Sequence, residues 1–129
     1  MMARVLSVLF LFFALALPAT AQESLSQRVS DTTGNSVAFT TFGATPTGTR
    51  NMITSVLVYN SSATPGYVDL RDGTGGAVIA TIPAPANSGT TTFFPIPLRQ
   101  PTAATALAYD VSAAITTVYI TVVGYKAAP

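Results

Sequence analysis

The chain contains no cysteine and no histidine. Without cysteine it can form no disulfide, no thiolate metal site and no thiol nucleophile, and it cannot carry a lipoprotein anchor. Without histidine it lacks the commonest general base and the commonest metal ligand, so a Ser-His-Asp triad is impossible. These absences predict a protein that is not an enzyme and that needs no metal and no cofactor.

The N-terminal residues have the pattern of a secretory signal peptide. Arg4 precedes an apolar run of thirteen residues, Val5–Leu17, which is shorter than the roughly 20 residues that span a bilayer. Pro18 ends this run, and Ala19-Thr20-Ala21 is a small-x-small cleavage site. We therefore expect a signal peptide at residues 1–21, a mature chain that begins at Gln22, and a secreted or periplasmic protein with no membrane contact after cleavage.

Charge is scarce in this chain. Charged residues make up 9% of it, against roughly a quarter in ordinary soluble domains. The formal net charge is +1, and removal of Arg4 with the signal peptide brings the mature chain to zero. A neutral surface does not steer nucleic acid or anionic membranes, and it provides little colloidal repulsion. We expect no nucleic-acid partner and favour self-association, with a monomeric Thr-rich secreted domain as the alternative.

Beyond a polar segment at residues 22–34, which we expect to be a flexible arm or a single helical turn, the sequence favours strands. Residues 35–129 contain short alternating or β-branched stretches separated by Gly-, Pro- and Asn-rich turns. Ala104–Val111 is compatible with helix or strand, and prolines are expected to end the strands before Pro83 and Pro95. The pattern predicts an all-β, antiparallel β-sandwich of seven or eight strands, jelly-roll or immunoglobulin-like. The predicted strands are Ser36–Thr41, Met52–Tyr59, Tyr67–Arg71, Ala77–Ile82, Thr90–Phe94, Ala104–Val111 and Thr116–Tyr125.

The clearest turn in the sequence is Asp72-Gly-Thr-Gly-Gly76. Because it joins two alternating stretches, it predicts a hairpin in which Gly75 or Gly76 has a positive φ. A phosphate-binding loop would lead into a helix instead, and Arg71 would repel a calcium ion.

The last strand predicts an interaction surface. Val118, Ile120 and Val122 would form its core face, and the opposite face would present Tyr119, Thr121, Val123 and Tyr125. That face is too apolar for free solvent. We therefore expect Tyr119, Val123 and Tyr125 at a subunit contact, with packing under a neighbouring loop as the alternative.

Other residues indicate chemistry more weakly. Asp69 and Asp72 could in principle serve as a carboxylate pair for glycoside hydrolysis, but they flank a hairpin and belong to a small pool of acids. Asn60-Ser61-Ser62 matches the N-glycosylation acceptor pattern. Exposed tyrosines could stack on sugars, although the absence of tryptophan weakens this hypothesis. The five tyrosines are Tyr59, Tyr67, Tyr109, Tyr119 and Tyr125.

The segment from Ile53 to Lys126 resembles small β-sandwich accessory proteins of tailed-phage virions, including those of the head-decoration type. The resemblance implies a non-enzymatic, often oligomeric β-sandwich that coats or projects from a larger particle. Such proteins ordinarily need no signal peptide, so the chain is either an exported bacterial protein or an exported phage-encoded one that reaches the virion surface. The residues that carry the resemblance are Ile53–Asn60, Val68–Gly76, Ile79–Pro85, Phe94–Leu98 and Val118–Lys126.

These observations predict a non-enzymatic exported or virion-surface structural protein that acts by self-association or by docking on a larger protein assembly. A secreted monomeric binding module, with carbohydrate as its ligand, is the alternative. The two differ most simply in the molecular weight in solution.

Overall fold

A computed structural model describes residues 25–31, 35–45, 47–112, 115 and 117–127. The predicted signal peptide and its cleavage site lie outside these residues. The described residues form eight strands and no helix. The strands are β1 (Leu25–Asp31), β2 (Val37–Ala38), β3 (Arg50–Asn60), β4 (Gly66–Asp72), β5 (Val78–Ala84), β6 (Ser88–Arg99), β7 (Leu107–Val111) and β8 (Val118–Ala127).

The strands form two antiparallel sheets of four. Sheet 1 has the order β1-β8-β3-β6, and sheet 2 has the order β2-β7-β4-β5. The predicted all-β antiparallel sandwich is confirmed.

The core lies between the sheets because alternate residues of each strand are apolar. In β8 the residues Val118, Ile120 and Val122 are fully buried and alternate with half-buried ones. Val56 and Val58 of β3 and Leu70 of β4 contribute in the same way. Since successive side chains of a strand point to opposite faces, this alternation also fixes which residues face outward.

Three expectations about individual strands were wrong. Residues 22–34 were expected to be an arm or a helical turn, but Leu25–Asp31 forms β1 and pairs with β8 along its whole length. The predicted strand Ser36–Thr41 contains only the two-residue β2. The strands do not end before Pro83 and Pro95, since β5 continues to Ala84 and β6 continues to Arg99. β5 and β6 are edge strands, where a missing backbone N–H can face away from the ladder.

The region that was compatible with helix or strand, Ala104–Val111, is a strand from Leu107 onward. The predicted hairpin is confirmed: β4 and β5 pair across the Asp72–Gly76 turn. Gly75 has a φ of 73° and Gly73 a φ of 89°, whereas Gly76 is not among the residues with positive φ.

Loops at one end of the sandwich are fastened by a buried polar network. The Asn51 amide nitrogen donates to the Phe42 carbonyl at 3.1 Å and to the Gln100 side-chain oxygen at 2.7 Å. The Gln100 amide nitrogen donates in turn to Asp72 at 2.9 Å. Asn51 and Gln100 are both fully buried, so these bonds replace water that neither side chain can reach.

Candidate docking surface

The outer face of sheet 1 is a surface assembled from four strands. Strand register places its side chains in rows across the sheet. One row runs Ser30–Tyr119–Tyr59–Gly89, the next Arg28–Thr121–Leu57–Thr91, the next Ser26–Val123–Ser55–Phe93, and a fourth contains Tyr125, Met52 and Arg99.

The three residues predicted at a contact all lie on this outer face. Tyr119, Val123 and Tyr125 are half-buried by their neighbours on the sheet, and each alternates with a core residue of β8. The structure therefore brings the three residues together on one surface and places them outside the core. Whether a second molecule covers them stays a prediction.

Sequence reasoning missed the contribution of β3 and β6 to this surface. Leu57 is 43% exposed, Tyr59 is 45% exposed and Phe93 is 74% exposed. The Tyr59 and Tyr119 rings are neighbours, with centroids 6.4 Å apart. The sequence contained one indication of this contribution, since the second half of β3 is apolar at successive positions and therefore on both faces of the strand. No short stretch of sequence indicated that β3 would pair with β8.

The edge of this surface bulges at the proline-rich part of β6. Ile53 pairs with Leu98 and Ser55 pairs with Phe93, so residues 94–97 lie opposite Thr54 alone. Such a bulge interrupts the ladder and makes the edge a poor template for another strand. Ile96, within the bulge, is 86% exposed.

The charges on the outer face of sheet 1 are all positive. Strand alternation places Arg28, Arg50 and Arg99 on it, and none of the acidic residues that the structure describes lies there. The Arg28 guanidinium carbon lies 4.9 Å from the centre of the Tyr119 ring. The side chain of Arg50 donates from Nη1 to the Gln100 carbonyl oxygen at 3.2 Å.

The outer face of sheet 2 has the opposite character. Asp69 and Asp110 are cross-strand neighbours, and Arg71 lies within 3.7 Å of the first carboxylate and 3.2 Å of the second. Thr81 donates from its hydroxyl to Asp69 at 2.5 Å. Two carboxylates and one guanidinium leave this face with a net negative charge. Tyr67 and Val78 on the same face are 48% and 45% exposed.

The two carboxylates considered for glycoside hydrolysis, Asp69 and Asp72, make hydrogen bonds and ion pairs within the fold. Asp69 and Asp72 do not face one another as a hydrolytic pair: Asp69 contacts Arg71 and Thr81, while Asp72 accepts hydrogen bonds from Gln100 and Thr102. Among the described residues, no group of three or more His, Cys, Asp or Glu side chains could hold a metal ion.

The glycosylation pattern coincides with a structural asparagine. Asn60 is fully buried, and its amide nitrogen donates to the carbonyls of Thr64 at 2.8 Å and Ala84 at 3.0 Å. Its side-chain oxygen accepts from the backbone N–H of Ser62. A glycan on this nitrogen has no room in the folded protein, so the motif serves the turn after β3.

Tyr109 is the tyrosine farthest from solvent. It is 4% exposed, and its ring centroid lies 4.8 Å from that of Phe39. Burial raises the pKa of the phenol above its ordinary value of 10.0, and the negative charge of Asp31 raises it further. Tyr109 therefore belongs to the core and takes no part in a sugar-binding surface.

No protein-family model matches this sequence, and a comparison with curated proteins finds no match either. In the part of the chain that the structure describes, no helix has the length and apolar character needed to cross a membrane.

Proposed function

We propose that this protein is an exported, non-enzymatic structural component that associates with further copies of itself through the outer face of sheet 1. The observation that carries the proposal is the composition of that face. It presents Tyr59, Tyr119 and Phe93 together with arginines, and no described acidic residue. Protein interfaces are enriched in Tyr, Phe, Met and Arg and depleted in Lys, Glu and Asp, and Tyr and Arg recur among the residues that dominate binding energy.

The size of the face is compatible with this proposal. Four strands about 4.8 Å apart, and roughly nine residues long at about 3.3 Å each, give a projected area of roughly 500–600 Å². A side-chain surface exposes more area than its projection, and a standard interface buries about 800 Å² per partner. The face is therefore large enough to supply most of one side of a specific contact.

Low net charge supports association as well, because little repulsion keeps copies apart. The predicted signal peptide supports export. The resemblance to virion accessory proteins supports a role on a larger particle, which would then provide a second docking partner for the assembled copies.

A second candidate function is carbohydrate binding by a monomer. The neighbouring rings of Tyr59 and Tyr119, inclined by 36° to one another, are the observation that favours it. A monomeric module would leave these rings exposed for stacking on sugar rings.

The test is sedimentation of residues 22–129 at high micromolar concentration, for the wild type and for the double variant Tyr119→Lys, Val123→Lys. We expect an oligomeric wild type and a folded, monomeric variant, because the contact would lose the apolar area of Tyr119 and Val123 and would have to desolvate two ammonium groups. The control carries the same charge on exposed loops, as Ala63→Lys, Thr74→Lys, and should associate like the wild type. A monomeric wild type contradicts the proposal. An oligomeric double variant places the interface elsewhere.

A further inference from the structure

The two outer faces of the sandwich carry opposite charge, and this bears on how copies meet. The outer face of sheet 1 has Arg28, Arg50 and Arg99. The outer face of sheet 2 has Asp69 and Asp110 around Arg71, with exposed apolar side chains beside them. Both faces thus combine apolar contact area with charge, and the signs are complementary.

An isologous contact, in which the outer face of sheet 1 meets itself, would bring arginines together without a carboxylate between them. Like charges across an interface disfavour binding strongly, whereas complementary charges favour the correct pairing. Arg28 and Arg99 form no ion pair with any acidic residue in the described ranges, so no described carboxylate neutralises their charges.

We propose that copies of this chain stack head to tail, with the outer face of sheet 1 of one copy against the outer face of sheet 2 of the next. The inference rests on the proposed function, since it names the partner surface for the same face. In such a contact Arg28 and Arg99 of one copy lie against the carboxylates of Asp69 and Asp110 of the next. Asp110 is the more accessible of these two, with a side chain 26% exposed. Arginine suits this contact because its planar fork can bind a carboxylate through two N–H groups.

Head-to-tail contacts have a consequence that a symmetric dimer lacks. The two faces lie on opposite sides of the sandwich, so each bound copy still offers one unoccupied face. Association then continues beyond the dimer until a ring closes or a filament grows. The mean mass of the wild type should therefore rise past that of a dimer as concentration increases.

Two variants distinguish head-to-tail stacking from an isologous contact of sheet 1 with itself. Each variant alters the charge of one outer face and leaves the other face intact. The sheet 1 variant is Arg28→Glu, Arg99→Glu. The sheet 2 variant is Thr81→Lys, Asp110→Asn, which reverses the net charge of that face while keeping the shape of the Asp110 side chain. Lys126→Gln is the control, because it removes one positive charge from β8 at a position that alternation places away from the outer face. Circular dichroism melting checks that each variant folds.

We expect each two-site variant alone to associate at least about tenfold more weakly than the wild type at low salt, since like charges then meet in every contact. An equimolar mixture should recover association, because the intact sheet 1 face of one variant meets the intact sheet 2 face of the other. Lys126→Gln should associate like the wild type. Raising the ionic strength should weaken the wild-type assembly.

The outcomes distinguish a failure of the head-to-tail arrangement from a failure of the proposed self-association. If the sheet 2 variant alone associates as well as the wild type, the contact does not use sheet 2, and the head-to-tail arrangement is wrong although self-association stands. If the wild type itself is monomeric, the proposed function fails first. Should the sheet 2 variant fail to fold, Tyr67→Lys places a positive charge on the same face at an exposed side chain, and normal association of that variant would equally overturn the inference.

Discussion

The guanidinium carbon of Arg28 lies 4.9 Å from the centre of the Tyr119 ring, across the antiparallel pair of β1 and β8. A cation over an aromatic face at this distance is attracted by the ring quadrupole, by about 0.5–1 kcal/mol at exposed sites. The contact holds the Arg28 side chain, at the middle of β1, over β8 on the outer face of sheet 1. It therefore ties the edge strand β1 to its neighbour β8 within the surface proposed to bind a second copy.

Gly75 should tolerate no β-branched residue. Its φ of 73° is in the left-handed region, where a side chain with a Cβ is strained. We expect Gly75→Val to lower the free energy of unfolding by about 1–2 kcal/mol, measured by urea denaturation. The matched control is Thr74→Val, on the neighbouring exposed residue, which should change stability by less than about 0.5 kcal/mol. Equal losses in the two variants would show that the glycine conformation is not the cause.

Asn51 and Gln100 should behave as a coupled pair. Asn51→Ala leaves the buried Gln100 side-chain oxygen without its Asn51 donor and removes one of the two hydrogen bonds to the Phe42 carbonyl, which keeps the bond from the Leu107 N–H. We therefore expect a loss of at least about 2 kcal/mol in unfolding free energy. A double-mutant cycle with Gln100→Ala should give a coupling energy of about 0.5–3 kcal/mol. Gln27→Ala, which removes bonds near the surface, is the control and should cost less. Strictly additive losses would contradict the network.

Alkaline pH should destabilise the fold through Tyr109. Its pKa is raised above 10.0 in the folded state, so above that pH the unfolded chain loses the phenolic proton while the folded chain retains it. Stability is therefore fully present below about pH 10 and falls as the pH rises toward the folded pKa. Urea denaturation across pH 9 to 11 should show this slope in the wild type and a shallower one in Tyr109→Phe. The same slope in both proteins would rule out Tyr109 as the cause.

Export should yield a chain that retains β1 intact. Cleavage after Ala21 leaves Gln22 as the first residue, just before β1 begins at Leu25. N-terminal sequencing of the exported protein should start at Gln22 or within a residue or two of it. A soluble cytoplasmic product with Met1 intact would contradict the export prediction.

The fold class was predictable because it depends on local patterns. Alternation in β4, β5 and β8 and the glycine-rich hairpin are all written in short stretches of sequence. β1 was missed because only Leu25 and Val29 are apolar in it, and its stability comes from pairing with β8, far away in the chain.

The surface was only partly predictable for the same reason. The alternation of β8 identified Tyr119, Val123 and Tyr125, but the neighbours of β8 depend on long-range pairing. The extension of β6 past Pro95 also depends on its position at the sheet edge and on the bulge opposite Thr54. Segregation of charge between the two outer faces could not be predicted from composition, since the chain as a whole has a formal net charge of only +1.

The most direct test of the central claim uses the absence of cysteine, which makes a single introduced thiol the only one in the chain. Thr121→Cys places it between Arg28 and Leu57, at the centre of the outer face of sheet 1. Thr74→Cys places it at the exposed hairpin tip as the control. The rate of maleimide labelling is measured at low and at high micromolar protein. If copies associate through this face, labelling of Thr121→Cys slows several-fold at high concentration while that of Thr74→Cys does not change. An unchanged rate at Thr121→Cys over the whole range would contradict the account.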